Sequence, residues 1–507
     1  MEDKQKKSII ERLLNKVEVA GNKLPDPITI FAILAGFVLF ASWALNKLGI
    51  TAVNPATQEK LEVVNLLSKE GLHQILSNMV TNFTSFAPLG IVIVAMIGIG
   101  VAEHSGLITA LMKKTVLSAP KKLIVPVLIF TAIFGGIATD AAYIILPPIA
   151  AMIFMSVGRN PLVGLVLAYA AIAGGFSANI IITSLDVLLV GITQEAAHIV
   201  DPNYNGNAMM NYYFMFVSTF LLIAIATWVT VKIVEPRFGK FEGKVEKLEK
   251  ITPQELRGLK WAGVAAFAYI AIILVMVLPE NGILRGENGA FLQSPFMSGI
   301  VPILLFLFLI PGITYGAVVG TIKSDRDVAN MMFKAMSDLG SFIVLAFVAA
   351  QMIAFFGWSN IGAILAIKGA EFLNALELNA VTMFIGFIFI VALVNLLMAS
   401  ASAKWVLLAP IFVPMFMYLG YSPAVTQMAY RVGDSITNPI TPLLAYFPML
   451  LGFARKYDKN MKMGTLISAL LPYSIFFAIM WIILFAAWLI LGLPLGPGEM
   501  INYQINQ

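Results

Sequence analysis

Asp186, Arg431 and Asp434 lie deep in apolar runs. A central charge in a bilayer costs about 2.5–3.5 kcal/mol on insertion scales, so such groups face a partner, water or an ion. Arg431 and Asp434 are three apart on one helical face, and a local ion pair is the plain structural reading of them. Asp186 has no lysine or arginine within 20 positions, so it finds a partner through the fold, titrates or binds a cation. Two polar breaks surround these charges. The first reads Gly174-Gly175-Phe176-Ser177-Ala178-Asn179 and then Thr183-Ser184-Leu185-Asp186. The second runs from Tyr430 through Gly433-Asp434-Ser435-Ile436-Thr437-Asn438-Pro439 to Thr441-Pro442. Gly and Pro free backbone carbonyls, and Ser177, Asn179, Thr437 and Asn438 add side-chain oxygens. Such a set suits a small hard cation, and half-helix N-termini suit an anion. A proline-kinked helix with back-bonded hydroxyls is the plain alternative.

The elements that carry these residues must cross a membrane. Of 507 residues, 59% are hydrophobic and 12% charged, against about 25% charged in soluble domains. That excludes a soluble globular enzyme and a disordered chain. The apolar residues fall into stretches near the about 20 residues a bilayer core requires. There are no cysteines and three scattered histidines, which argues against a thiolate or histidine metal site. No Walker A motif is present, so the chain is not an ATP-driven pump by itself. The first apolar run starts at Pro27 after a charged leader with no visible cleavage site, so the first span is expected to be retained. Residues 8–19 pattern as an amphipathic interfacial helix.

The expected fold is an all-α polytopic membrane protein. Full crossings are read near 28–46, 86–111, 161–195, 211–233, 261–279, 297–318, 336–356, 424–453 and 464–493. Two further runs, 122–155 and 378–417, are each too long for one crossing. Each has a polar patch near its middle. The first contains Gly135-Gly136-Ile137-Ala138-Thr139-Asp140, the second Ser400-Ala401-Ser402-Ala403-Lys404. Each is read as a re-entrant hairpin, the alternative being a pair of crossings. With the N-terminus in the cytoplasm, the inner segments hold 26 of the 33 lysines and arginines and the outer ones four. That split obeys the positive-inside rule. Thr252-Pro253-Gln254-Glu255 in the inner loop 232–260 is a capping box with proline at the first helical position.

An internal repeat organises the chain. At an offset of 262, residues 139–161 align with 401–423 without a gap, and eight of 23 pairs are identical. Pro148/Pro410, Gly158/Gly420 and Pro161/Pro423 are among them, and Tyr143/Trp405 is an aromatic pair. The hairpins open from opposite sides, so the repeats are inverted, the architecture of secondary transporters with a midplane site. The organisation is then 1–27 cytoplasmic leader, 28–85 first span and outer loop, and 86–195 repeat 1. It continues with 196–335 scaffold helices, 336–453 repeat 2, and 454–507 last span and outer tail.

The chain resembles the AbgT family of p-aminobenzoyl-glutamate transporters from about residue 11 to 490. The segments that carry the resemblance include Gly21-Asn-Lys-Leu-Pro25-Asp-Pro27, Phe86-Ala-Pro-Leu-Gly90, Gly98-Ile-Gly-Val-Ala-Glu103 and Ala138-Thr-Asp-Ala-Ala-Tyr143. Gly174-Gly-Phe-Ser-Ala-Asn179, Gly320-Thr-Ile-Lys-Ser-Asp325, Ser402-Ala-Lys-Trp405 and Tyr430-Arg-Val-Gly-Asp-Ser-Ile-Thr-Asn438 complete the set. The resemblance implies a homodimer whose subunits have nine spans and two opposed hairpins. It places functional roles on Asp186, Asn395, Trp405, Arg431 and Asp434. The chain departs from the family's usual pattern at Val187, where proline is frequent, and at Pro439, where an aliphatic residue is common.

The expected function is ion-coupled secondary transport of p-aminobenzoyl-glutamate or p-aminobenzoate-like compounds, sulfonamides included. The chain is not expected to be an enzyme. Arg431 would pair with a substrate carboxylate. Trp405 would stack on the aminobenzoyl ring, unless it is an interfacial anchor. Asn395, Asp434 and Pro442 would complete the substrate site, and Asp186 and Asp434 would handle coupling. Thr139, Asp140, Ser177, Asn179, Ser400, Ser402, Thr437 and Asn438 would supply cation or hairpin-tip polar groups. No cofactor is expected beyond a coupling ion, H+ or Na+, and no nucleic-acid partner. The expected location is the cell (inner) membrane, with the C-terminus outside. Two alternatives stand beside this reading: a dicarboxylate carrier of similar architecture, and an intramembrane aspartyl protease. The protease would need Tyr-Asp and Gly-x-Gly-Asp, and neither acid lies in such a motif.

Overall fold

The computed structural model describes residues 25, 27–54, 58–239, 251–291, 294–398 and 400–505, with the backbone alone at 87 and 138–141. The helix expected over 8–19 lies outside the described residues, as do the side chains of Thr139 and Asp140. The fold is nearly all helical; its one sheet among the described residues pairs Thr51–Val53 with Lys60–Glu62 in antiparallel register.

Among the described residues, nine helices are long and apolar enough to cross a bilayer. They include both arms of the second hairpin, Ala380–Leu397 and Ala401–Tyr418. They omit the two interrupted spans, whose halves are each too short to qualify. The first of these is Pro161–Gly174 with Ser184–Ala197. The second is Pro423–Thr437, a 3₁₀ turn Asn438–Ile440, and Phe447–Arg455. The first hairpin has arms Ile124–Phe134 and Thr139–Ser156 around a 3₁₀ turn, Gly135–Ala138. The architecture is therefore a polytopic helical fold with two opposed hairpins and two broken spans.

One expected boundary moves. The span expected over 86–111 ends at His104. Gly106, with φ +90°, turns the chain in a conformation that favours glycine, and a separate helix Leu107–Leu117 begins. At the next break the axis bends by 115° into the first hairpin.

The repeat is visible in local chemistry. Gly158 and Gly420, which correspond by sequence, both adopt left-handed φ values, +74° and +86°. Each is followed by a capped helix with proline in its first turn. Leu162 N–H donates to Asn160 Oδ1 (3.0 Å) and Val425 N–H to Ser422 Oγ (3.3 Å). The same device thus ends each hairpin and starts each broken span. The capping box at Thr252 also forms: Glu255 N–H donates to Thr252 Oγ1 (3.1 Å) and Thr252 N–H to Glu255 Oε2 (2.7 Å). It starts the helix Pro253–Val277, whose side chains are largely exposed, Phe267 at 75% and Val275 at 72%. Apolar exposure on that scale suits contact with lipid.

Candidate functional site

The two breaks and the tip of the second hairpin converge. Gly174, at the end of the first half-helix, has no side chain because a Cβ there would lie 2.5 Å from the Phe477 ring and 3.2 Å from Pro439 Cγ. The first break therefore packs directly on the second. Gly433 plays the same part opposite the hairpin, where a Cβ would lie 2.6 Å from the Ile388 carbonyl oxygen. The helix Pro423–Thr437 is thereby seated against the arm that carries Asn395.

Asp186 lies in the first turn of Ser184–Ala197 and does two things. Its Oδ2 accepts from Thr183 N–H (2.6 Å) and Thr183 Oγ1 (2.8 Å), closing a capping box. Its Oδ1 lies 2.5 Å from Arg431 Nη1. The partner that Asp186 lacks in its own stretch of sequence thus comes from the second repeat. The local Arg431–Asp434 pair does not form. Asp434 Oδ1 instead lies 2.5 Å from Lys404 Nζ, on the second hairpin. All four groups are buried, none more than 2% exposed. Low dielectric makes each charge costly alone, so opposite charges are drawn together across the fold.

Asn395 ties the hairpin to the second break. Its Nδ2 lies 2.7 Å from the Asp434 carbonyl oxygen, 2.8 Å from Thr437 Oγ1 and 2.8 Å from Asn438 Oδ1. Its Oδ1 accepts from the Lys404 ammonium. Trp405 is fully buried; its ring stacks on Tyr430 with centroids 4.4 Å apart. Its Nε1 donates to Thr193 Oγ1 (2.8 Å), and that hydroxyl lies 2.5 Å from Gln427 Oε1. Gln427 Nε2 donates to Asn211 Oδ1 (2.7 Å). A buried polar network therefore joins the repeats behind the ion pairs. The sequence reading missed Thr193, Gln427, Asn211 and Tyr430 as participants. A polar face on the Pro423–Thr437 helix was the signal for Gln427 and Tyr430; Thr193 and Asn211 lie on other elements and carried none.

The remaining candidates separate into groups. Asn179 is committed to structure: its Nδ2 donates to the Ile133 carbonyl (3.1 Å) and its Oδ1 accepts from Ile180 N–H (2.9 Å). Ser400 Oγ caps the second arm by accepting from Ala403 N–H (3.3 Å), and Ser402 Oγ lies 3.3 Å from it. Pro442 is half-buried just past the second break. Among the described residues five buried hydroxyls have no hydrogen-bond partner: Ser177, Ser435 and Thr441 at or beside the breaks, and Tyr169 and Ser474 within helices. Buried polar groups are ordinarily satisfied, and unsatisfied ones clustered at helix breaks point to a ligand or water. Among the described residues no three His, Cys, Asp or Glu side chains gather as metal ligands. An aspartyl protease requires two carboxylates sharing a proton; here each aspartate is held by a different cation.

Opposed hairpins, paired broken spans and buried charges between them define a membrane transporter built on inverted repeats. The chain belongs to the AbgT putative transporter family, whose model matches residues 12–503. It is 40% identical over 489 residues to the p-aminobenzoyl-glutamate transport protein of Escherichia coli (strain K12), covering 96% of each chain. Its fold is similar to that of the Alcanivorax borkumensis YdaH transporter, with a TM-score of 0.90 and 39% identity over 93% of this chain and 100% of that one. It is also similar to Neisseria gonorrhoeae MtrF, of a class of antimetabolite efflux pumps, with a TM-score of 0.91 and 45% identity over 96% and 100% of the two chains.

Proposed function

We propose that the chain moves p-aminobenzoyl-glutamate, or related p-aminobenzoate-like compounds including sulfonamides, by ion-coupled alternating access. The observation that carries this reading is the Arg431–Asp186 pair, which joins the two broken spans at full burial. A substrate carboxylate competes with Asp186 for the Arg431 guanidinium, a strong charge-assisted contact in a dry site. The Asp186 released by that exchange takes a proton or faces Na+, which couples substrate to ion. Asp434 takes the equivalent part at the hairpin. Asn395, Pro442 and the Trp405–Tyr430 stack line the substrate side. The unpartnered hydroxyls of Ser177, Ser435 and Thr441, with Thr437 and Asn438, supply oxygens for the ion.

The unit of function in this reading is a homodimer in the inner membrane, N-terminus cytoplasmic and C-terminus outside, with no cofactor other than the coupling ion. The names of the relatives support the cargo, and the inverted repeats support the alternating-access mechanism. The test is labelled p-aminobenzoyl-glutamate flux in proteoliposomes with proton and sodium gradients imposed separately. Saturable flux driven by one gradient is expected. No flux under either gradient from correctly oriented protein would overturn the cargo.

A further inference from the structure

We propose that Lys404 is a second carboxylate anchor, paired with Arg431, and that it makes this carrier prefer substrates with two carboxylates. The inference rests on the transport reading above and adds a specificity residue to it.

Lys404 is fully buried, with its Nζ 2.5 Å from Asp434 Oδ1 and donating to Asn395 Oδ1. An ammonium has three donors, and among the described residues these two acceptors engage two of them. Arg431 is also under-used. Its Nη1 faces Asp186, while its Nε is buried with no hydrogen-bond partner. Both cations therefore keep donor capacity beyond their carboxylate. An unfilled donor on a buried guanidinium is costly unless a ligand oxygen meets it in another state.

The two cations also meet the same helix, Arg431 from within it and Lys404 through Asp434 one turn further on. Arg431 and Asp434, the partner of Lys404, sit one helical turn apart on one face, about 5–6 Å between Cβ atoms. Two carboxylates on a three-carbon backbone, as in a glutamate moiety, span a comparable distance. Such a ligand seats one carboxylate on each cation and takes the places of Asp186 and Asp434. A monocarboxylate such as p-aminobenzoate replaces only one aspartate. It leaves the other pair closed and the hairpin tip held to the broken span. The second anchor lies on the hairpin and the first on the broken span, so only a dianion bridges the two elements.

The experiment compares p-aminobenzoyl-glutamate with p-aminobenzoate as substrates of the full chain in proteoliposomes, reading the ratio of their KM values. Lys404→Gln is expected to cut the preference for the dicarboxylate by about tenfold or more, the scale of losing one charge-assisted hydrogen bond. Lys404→Arg is expected to retain the preference. A KM ratio in Lys404→Gln equal to that of the unaltered chain overturns the anchor. Lys404→Gln leaves Asp434 buried without its cation, so a Lys404→Gln, Asp434→Asn double variant runs alongside as a neutral pair. Should the single variant fail to fold, the double variant decides. A preference lost there but kept by Asp434→Asn alone supports the anchor, and a retained preference, or a loss equal to that of Asp434→Asn alone, overturns it. If the unaltered chain moves neither compound, the transport reading falls and the anchor with it. If it moves both and only the ratio resists substitution, the anchor alone is wrong.

Discussion

Arg431 Nη1 lies 2.5 Å from Asp186 Oδ1, so the charged helix of the second repeat is held to the broken span of the first. Removing one member of a buried pair leaves the other uncompensated, at a cost of about 3–5 kcal/mol. Asp186→Asn keeps an acceptor for Thr183 but loses the charge. We expect Asp186→Asn and Arg431→Ala each to melt several degrees lower and to lose flux. The double variant should cost less than the two single effects added, because the groups interact. Additive losses in a double-mutant thermal cycle would show that the pair is not coupled.

Gly433 is expected to tolerate no side chain. A Cβ would sit 2.6 Å from the Ile388 carbonyl oxygen and 2.7 Å from Val391 Cβ, both on the hairpin arm. Backbone cannot yield as a flexible side chain can, so Gly433→Ala should cost about 1–3 kcal/mol, the range for overpacking. Flux should fall as the arm carrying Asn395 is displaced. A melting temperature and flux equal to those of the unaltered chain would contradict this packing.

Trp405 separates two roles. Trp405→Phe keeps a ring on Tyr430 but loses the Nε1 bond to Thr193, about 0.5–1.5 kcal/mol, and part of the indole's buried volume. Trp405→Ala empties a fully buried site and should cost about 3–5 kcal/mol. Thermal melts of the two variants check the order. If the tryptophan serves only as a wall of the substrate site, KM should stay close to its normal value in Trp405→Phe and rise in any Trp405→Ala protein that folds.

Beyond the last span, the tail 494–503 straps two parts of the molecule together. Ser422 N–H donates to the Ile501 carbonyl (2.8 Å), and Tyr503 O–H donates to Asp201 Oδ2 (2.6 Å). Glu499 is buried within this strap, its carboxylate oxygens both 3.4 Å from the Tyr204 hydroxyl. Burial pushes its carboxyl up from 4.5 to about 7. A carboxyl raised on docking binds its proton more tightly in the docked state. Docking is therefore strongest below pH 4.5 and weakens as pH rises toward about 7. Glu499→Gln should remove that dependence. Hydrogen exchange of the tail amides across this range is the check, and a flat profile in the unaltered chain would refute it.

Much of the fold was legible in the sequence because membrane spans are written in one dimension. Apolar runs near bilayer thickness, the charge asymmetry of the loops and the gapless alignment of 139–161 with 401–423 need no tertiary contact to be read. The capping box at Thr252 and the repeated Gly-x-x-Pro at Gly158 and Gly420 are local chemistry, and they fold as local chemistry requires. Charge pairing is different. The spacing of Arg431 and Asp434 favours a pair along one helix, yet each finds its partner elsewhere, at Asp186 and Lys404. Proximity in sequence specifies only which groups are able to meet. Which groups do meet depends on how hairpin and broken spans pack, and glycines at 174 and 433 set that closeness. The sequence alone determined that charges and oxygen-rich breaks would sit inside apolar runs. Only the tertiary structure decided their partners, because in low dielectric the fold that neutralises every buried charge at once prevails over the nearest pairing.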